Sequence, residues 1–213
     1  MECSGAVYAR IPPDGLPALE SAVRQARRAS RHASPLGVIA GQPDLHGFAM
    51  VDRWGKSDDM PLWSEGPDLA QAPELVALSR AVGEVVAFYE IDEGSTFGVY
   101  GAWRDGALVR GLVWGDDEWM RVQGDPQSWE AGLFAPEALA RALEDAREDG
   151  REEAPIEAGF ASGRVTSGAS QPAPRAMARL IREALRAPAH GLQPWPRRTE
   201  LVKRVREEDQ AQG

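Results

Sequence analysis

Apolar and polar positions recur along this chain at two periods, and the alternation between them predicts a series of short strands and amphipathic helices. Over residues 5–11, Val7 and Ala9 alternate with Tyr8 and Arg10, and Pro12-Pro13 end the run, which predicts a strand closing in a turn. Leu16, Leu19, Ala22, Val23 and Ala26 then recur at helical spacing, with Arg24, Arg27, Arg28 and Arg31 elsewhere on the surface and Pro35 beyond the end. Two short apolar runs follow, at 38–40 and 48–51, and the second is read as a strand. Residues 55–67 have the composition of a surface loop. Asp68 is then expected to cap a helix reaching about Val82, with Leu69, Leu75, Val76, Leu78 and Val82 as its buried stripe.

The centre of the chain carries the strongest strand pattern. Residues 85–91, 96–103, 107–114 and 118–124 are rich in aromatic and β-branched side chains and are separated by short polar turns. Asp105-Gly106 between the second and third is a hairpin signal, because this pair readily supplies the positive φ angles of a type I′ turn. Gly98, Gly101 and Gly111 interrupt the strands and mark bulges or close approaches. Pro136 opens one more helix, with Leu139, Ala142, Leu143 and Ala146 on one side. Together these elements predict an α+β domain over residues 1–150, a mainly antiparallel sheet with helices packed on one face, followed by a C-terminal helical tail.

After Gly150 the composition shifts. Residues 158–175 are small, polar and rich in Pro, Ser and Gly, so 151–175 is read as a flexible linker and 176–213 as a basic helical tail with helices near 175–187 and 198–208. Charge sharpens the division. The whole chain carries −9, but residues 164–206 hold ten Lys and Arg against Glu183 and Glu200, a balance of +8. With −3 from Glu207, Glu208 and Asp209, residues 1–163 hold −14. An acidic body repels phosphate, which argues against nucleic acid or an anionic membrane as its partner, although that exclusion does not extend to the tail.

Cys3 is the sole cysteine, so an internal disulfide and a cysteine-rich zinc site are both excluded and a reducing compartment fits. The first residues lack the charged and apolar regions of a secretory signal, and no window approaches 18 apolar residues. The chain is therefore expected to be soluble and cytoplasmic, with no membrane partner. Two lysines against 22 arginines, with abundant alanine, suggest a GC-rich bacterial source.

No catalytic, cofactor-binding or metal-binding residues are assigned, and no cofactor is expected. His32, His46 and His190 stand in no metal-ligand spacing, and neither nucleotide loop pattern is present. Asp44 and His46 read as loop residues. The carboxylates Asp58-Asp59, Asp92-Glu93 and Asp116-Asp117-Glu118 fall at strand ends, where aspartate commonly bonds to its own turn. Of the seven tryptophans, Trp103, Trp114 and Trp119 are expected in the core. Trp54 and Trp63 flank the loop at 55–62 and are candidate partner anchors, the residue type that dominates binding hot spots. Arg175, Arg179, Arg182 and Arg186 fall at i, i+4, i+7 and i+11 on one helical face, opposite Met177, Leu180, Ile181, Ala184 and Leu185, and are the other partner-binding candidates. This arginine face has three candidate targets: the chain's own acidic body, a protein partner and, ranked last, nucleic acid.

Residues 104–130 resemble a segment of uncharacterised small bacterial proteins in which G-x-L-V-R-x-L is followed by a Trp-bearing strand and G-x-P-x-x-W-E. The matching residues are Gly106, Leu108, Val109, Arg110, Leu112, Trp119, Val122, Gly124, Pro126, Trp129 and Glu130. The pattern implies a hairpin and then a turn in which Pro126 sends Trp129 back under the sheet, with Arg110 and Glu130 as a candidate ion pair. It implies no activity. Charge and the missing motifs favour a non-enzymatic protein-binding module, for example an immunity-type inhibitor with an acidic surface. The alternatives are an accessory or scaffold subunit of a bacterial assembly attached through its tail, and a hydrolase or transferase using carboxylates at the sheet rim.

Overall fold

The computed structural model describes residues 3–12, 14–29, 48–55, 72–93, 95–174, 176 and 180, with the backbone alone for 3, 4, 48, 52–55, 92, 93, 95 and 96. Six strands, β1 (Cys3–Arg10), β2 (Phe48–Gly55), β3 (Glu84–Glu93), β4 (Ser95–Arg104), β5 (Ala107–Gly115) and β6 (Glu118–Gly124), form one sheet in the order β2-β1-β3-β4-β5-β6. Every pairing is antiparallel. The central meander lies where the residue pattern predicts it. Its β4–β5 turn has Asp105 at φ 51° and Gly106 at φ 85°, the backbone expected of the Asp-Gly pair.

Helices α1 (Leu16–Ala29) and α2 (Pro73–Val82) pack on one face of the sheet. Leu19, Ala22, Val23 and Ala26 of α1 and Leu75 and Leu78 of α2 meet Val7, Ala9, Val85, Ala87, Tyr89, Val99 and Trp103 there. The α+β class is as expected, but the start of α2 differs from the sequence reading. Ala72, not Asp68, is its N-cap, with ψ 93°. The ring of Pro73 forces the preceding residue out of the helical region, and Pro73 itself suits the first turn because it lacks the N–H that would go unpaired there.

The opposite face is covered as well. Ala6, Tyr8, Val86, Phe88, Tyr100, Ala102, Leu112, Trp114 and Trp119 form a second core with Leu133 and Val165. Its cover is a 3-10 helix (Ser128–Phe134) and a strap over residues 163–174 that turns at Thr166–Ala169. Beyond the 3-10 helix, α3 (Pro136–Glu148) and α4 (Ala154–Ala161) form a hairpin around Ala146, Ile156 and Phe160, joined to the rest through Phe134. Residues 151–174, expected as a flexible linker, thus contain a helix and a packed strap. Ile156, Phe160 and Val165 bury apolar surface that the many small residues around them obscure in the composition.

Three register shifts interrupt the ladders, between Val7 and Tyr8, Ala102 and Trp103, and Val113 and Trp114, each beside an aromatic residue. The glycines serve close packing instead. A Cβ on Gly98 would fall within the Trp114 ring, and one on Gly101 would meet the ring of Trp103.

Candidate functional site

Arg110 and Glu130 are the most deeply buried charges described, at 1% and 2% exposure. Arg110 lies in β5 opposite Gly124, and Glu130 lies in the 3-10 helix. The two meet side by side: Nε donates to Oε1 at 2.9 Å and Nη2 donates to Oε2 at 2.7 Å. Nη1 donates to the carbonyls of Gly124 at 2.6 Å and Gln123 at 3.3 Å, and the Gln127 amide donates to Oε1 at 2.9 Å. Gly124 sits at φ 74° with its α-carbon facing the Val109 carbonyl, so a side chain there would collide with β5. The pair expected from sequence therefore forms. With its donors and acceptors met and water excluded, it fastens the 3-10 helix to the sheet and leaves no face for a substrate.

The same fastening places an aromatic layer. Trp129, two residues after Gln127, packs edge-on against Tyr100 with ring centres 5.2 Å apart. Burial pushes the Tyr100 hydroxyl well above its ordinary value of 10.0, while a hydrogen bond from Trp129 acts in the opposite direction. Trp103, Trp114 and Trp119 are all fully buried, as their strand positions predict. Trp114 and Trp119 stand across β5 and β6 with centres 5.9 Å apart.

Trp119 also organises the outer edge of β6. Its N–H and C=O both point away from β5, which is how an edge strand exposes polar groups. The strap meets them: Gly168 N–H donates to the Trp119 carbonyl at 2.7 Å, and Trp119 N–H donates to the Ala169 carbonyl at 3.1 Å. The indole Nε1–H donates to the Pro172 carbonyl at 2.9 Å, and the Ser167 hydroxyl donates to the Met120 carbonyl at 3.0 Å. The Met120 side chain is 61% exposed and lies beside Gly115 of β5.

The carboxylates at the sheet rim are turn residues. Asp116 and Asp117 hold φ 51° and 66° in the two-residue turn between β5 and β6, and Glu118 begins β6 with its side chain exposed. Asp92 pairs with Thr96 at the same end of the sheet. Among the described residues, no group of three or more His, Cys, Asp or Glu could hold a metal ion.

Among the described residues, exposed carboxylates gather on the α3–α4 hairpin. Between residues 137 and 157 there are eight carboxylates against three arginines. Glu137, Glu144, Asp145, Glu148, Asp149, Glu152 and Glu157 are exposed. Arg147 donates to both oxygens of Glu153 at 2.8 and 2.9 Å, closing the hairpin. These hydrogen bonds lower the Glu153 carboxyl from its ordinary value.

Of the partner residues assigned from sequence, one lies among the described residues. Trp54 is in β2 opposite Gly5, while Trp63, Arg175, Arg179, Arg182 and Arg186 lie outside the described residues. Ala176 and Leu180 of the tail do pack on the second core, and Leu180 lies against Gly132 of the 3-10 helix. The strap contact at Trp119 went unrecognised in the sequence. No local signal marks it; apolar character on both parities of 85–91 and 96–103 marks only that those two strands are covered on both faces.

No protein-family model, curated protein or solved structure matches the chain. No described helix is long and apolar enough to cross a membrane.

Proposed function

We propose that this chain is a non-enzymatic, cytoplasmic protein-binding module that presents the acidic α3–α4 hairpin to a basic partner, in the manner of an immunity-type inhibitor. The carrying observation is the concentration of seven exposed carboxylates on one helical hairpin whose apolar residues are turned inward onto Ala146, Ile156 and Phe160. Carboxylates on a firm scaffold raise the encounter rate with a cationic surface and set its orientation, which is the use electrostatic complementarity has at fast inhibitory interfaces. Two further observations support a binding role. The buried Arg110–Glu130 pair is consumed by the fold, and the rim carboxylates Asp116 and Asp117 form a turn. A scaffold subunit held only by a free basic tail fits less well, because Ala176 and Leu180 tie the start of the tail to the protein's own second core.

The test is affinity capture from the source cytoplasm by the full chain and by a Glu144→Lys/Glu148→Lys variant, both at low salt and at 0.5 M NaCl. A cationic protein should be captured, released by salt, and bound at least tenfold more weakly by the variant. If the protein inhibits an enzyme, the captured partner's activity should fall in a one-to-one titration. Binding that ignores both salt and the charge reversals sinks the acidic-hairpin reading.

A further inference from the structure

The bulge in the outermost strand singles out one side chain. Trp114 pairs with Trp119 and Val113 with Arg121, so Met120 is the extra residue between them in β6. Trp119 enters the second core, whereas Met120 turns to the opposite face, next to Phe97 at the border of the first core. A Cβ on Gly115 would stand 2.8 Å from the Met120 sulfur and 3.5 Å from the Phe97 ring, so the thioether lies in the space the glycine leaves. Its other side is open to water. Among the described residues, Met120 is the one large apolar side chain left exposed. Its main chain is held in place: the Ser167 hydroxyl donates to the Met120 carbonyl at 3.0 Å, and the indole of the preceding Trp119 donates to the Pro172 carbonyl. Met50, the other methionine described, is buried at 6% exposure in the second core, opposite Tyr8 of β1.

We propose that Met120 is a reversible oxidation site of the folded protein, at which hydrogen peroxide converts the thioether to the sulfoxide. A sulfur lone pair attacks one peroxide oxygen, the O–O bond breaks, and the proton of the transferred oxygen leaves with the departing hydroxide as water. Sulfur gives up two electrons and the peroxide takes them. The product is polar and chiral where the parent was apolar, and methionine sulfoxide reductases remove the oxygen again. At Met120 the new oxygen is hydrated, so an apolar protrusion becomes polar without loss of packing. At Met50 the same oxygen would be buried in an apolar layer without a hydrogen-bond partner. The modification therefore marks the surface beside β6 and spares the fold. None of the hairpin carboxylates takes part, and the site stands or falls separately from the acidic-hairpin reading.

Peroxide treatment of the folded full chain, read by peptide mass spectrometry, tests it. Met120 should gain one oxygen at least tenfold faster than Met50, and the two rates should converge once the chain is unfolded in urea. A smaller ratio in the folded chain overturns the proposal, because Met120 would then be no more reachable than a core methionine. A ratio that persists in urea overturns it as well, since the fold would not be its cause. Sulfoxide reductases acting on the two epimers should return Met120 of the folded chain to its original mass, and an oxygen they remove only after unfolding overturns the reversibility. The treated chain should melt within about 2 °C of an identically treated Met120→Leu variant, and a larger drop would show that the sulfoxide damages the fold rather than marking its surface.

Discussion

Arg110 shows how a single charged residue can belong to a core. Its guanidinium meets a carboxylate and two carbonyls in the dry layer between β5 and the 3-10 helix, so desolvation is offset by aligned hydrogen bonds. Removing one partner leaves the other charge buried without a counterpart. Arg110→Met alone should therefore lower the unfolding free energy by about 3–5 kcal/mol in a urea titration. The double variant Arg110→Met/Glu130→Leu should cost clearly less than the sum of its two singles, and strict additivity would show that the pair is not coupled. Tyr100 predicts a behaviour at the other end of the pH scale. Its folded value is raised above the unfolded one, so its contribution to stability is complete below pH 10 and is lost as pH rises beyond it. In an alkaline titration followed by tyrosinate absorbance, Tyr100 should ionise only as the protein unfolds. Tyr100→Phe should remove one tyrosinate from that cooperative step.

At the scale of the element, the strands are built around pairs of glycine and tryptophan. Gly98 stands opposite Trp114 in the register of β4 and β5, and the indole lies over the space its missing side chain leaves. Gly98→Ala should destabilise by about 1–3 kcal/mol in chemical denaturation, the range for forcing volume into a packed layer. Trp114→Leu in the same chain should recover part of that loss by vacating the space. An unchanged midpoint for Gly98→Ala would show that the indole moves freely. The helices follow simpler rules: Pro73 and Pro136 open α2 and α3, while α1 is recognisable from its apolar spacing alone. The strap is the element whose composition misleads. Small polar residues usually indicate a chain that cannot bury enough surface to order, yet here an existing sheet edge supplies the hydrogen bonds and a preformed core accepts Val165 and Pro172.

For the whole molecule, the strap closes the second core over Trp119. A chain terminated at Ser162 keeps the sheet and the α3–α4 hairpin but exposes the Trp119 edge and part of the second core. Loss of roughly 2 kcal/mol is expected, which lowers Tm by about 4–8 °C at this size. Tryptophan emission should shift to the red as Trp119 meets water. If melting and emission match those of the full chain, residues 163–180 contribute nothing to the fold. Charge is organised at the same scale. Of the net −14 on residues 1–163, −5 lies on α3–α4 between residues 137 and 157 (eight carboxylates against three arginines), while Arg110 and Glu130 cancel out of reach of solvent.

The sequence by itself determined the α+β class, the four strands of the meander, the Asp105-Gly106 turn and the buried tryptophans, and offered Arg110–Glu130 only as a candidate pair. Each of these follows from local periodicity, turn chemistry or the short path between neighbouring elements, all of which are written within a few tens of residues. The docking of the strap on Trp119 was decided only in the tertiary structure, whereas the two-sided burial of the sheet and the α2 start at Pro73 carry local signals, apolar residues of both parities and the proline itself. The strap is the clearest case. Pro172 and Trp119 are 53 residues apart, and nothing in a stretch of Gly, Ser and Ala signals the unpaired strand edge that orders it. A local pattern reports what a segment can become alone, whereas an edge strand offers hydrogen bonds to whichever segment the fold brings alongside.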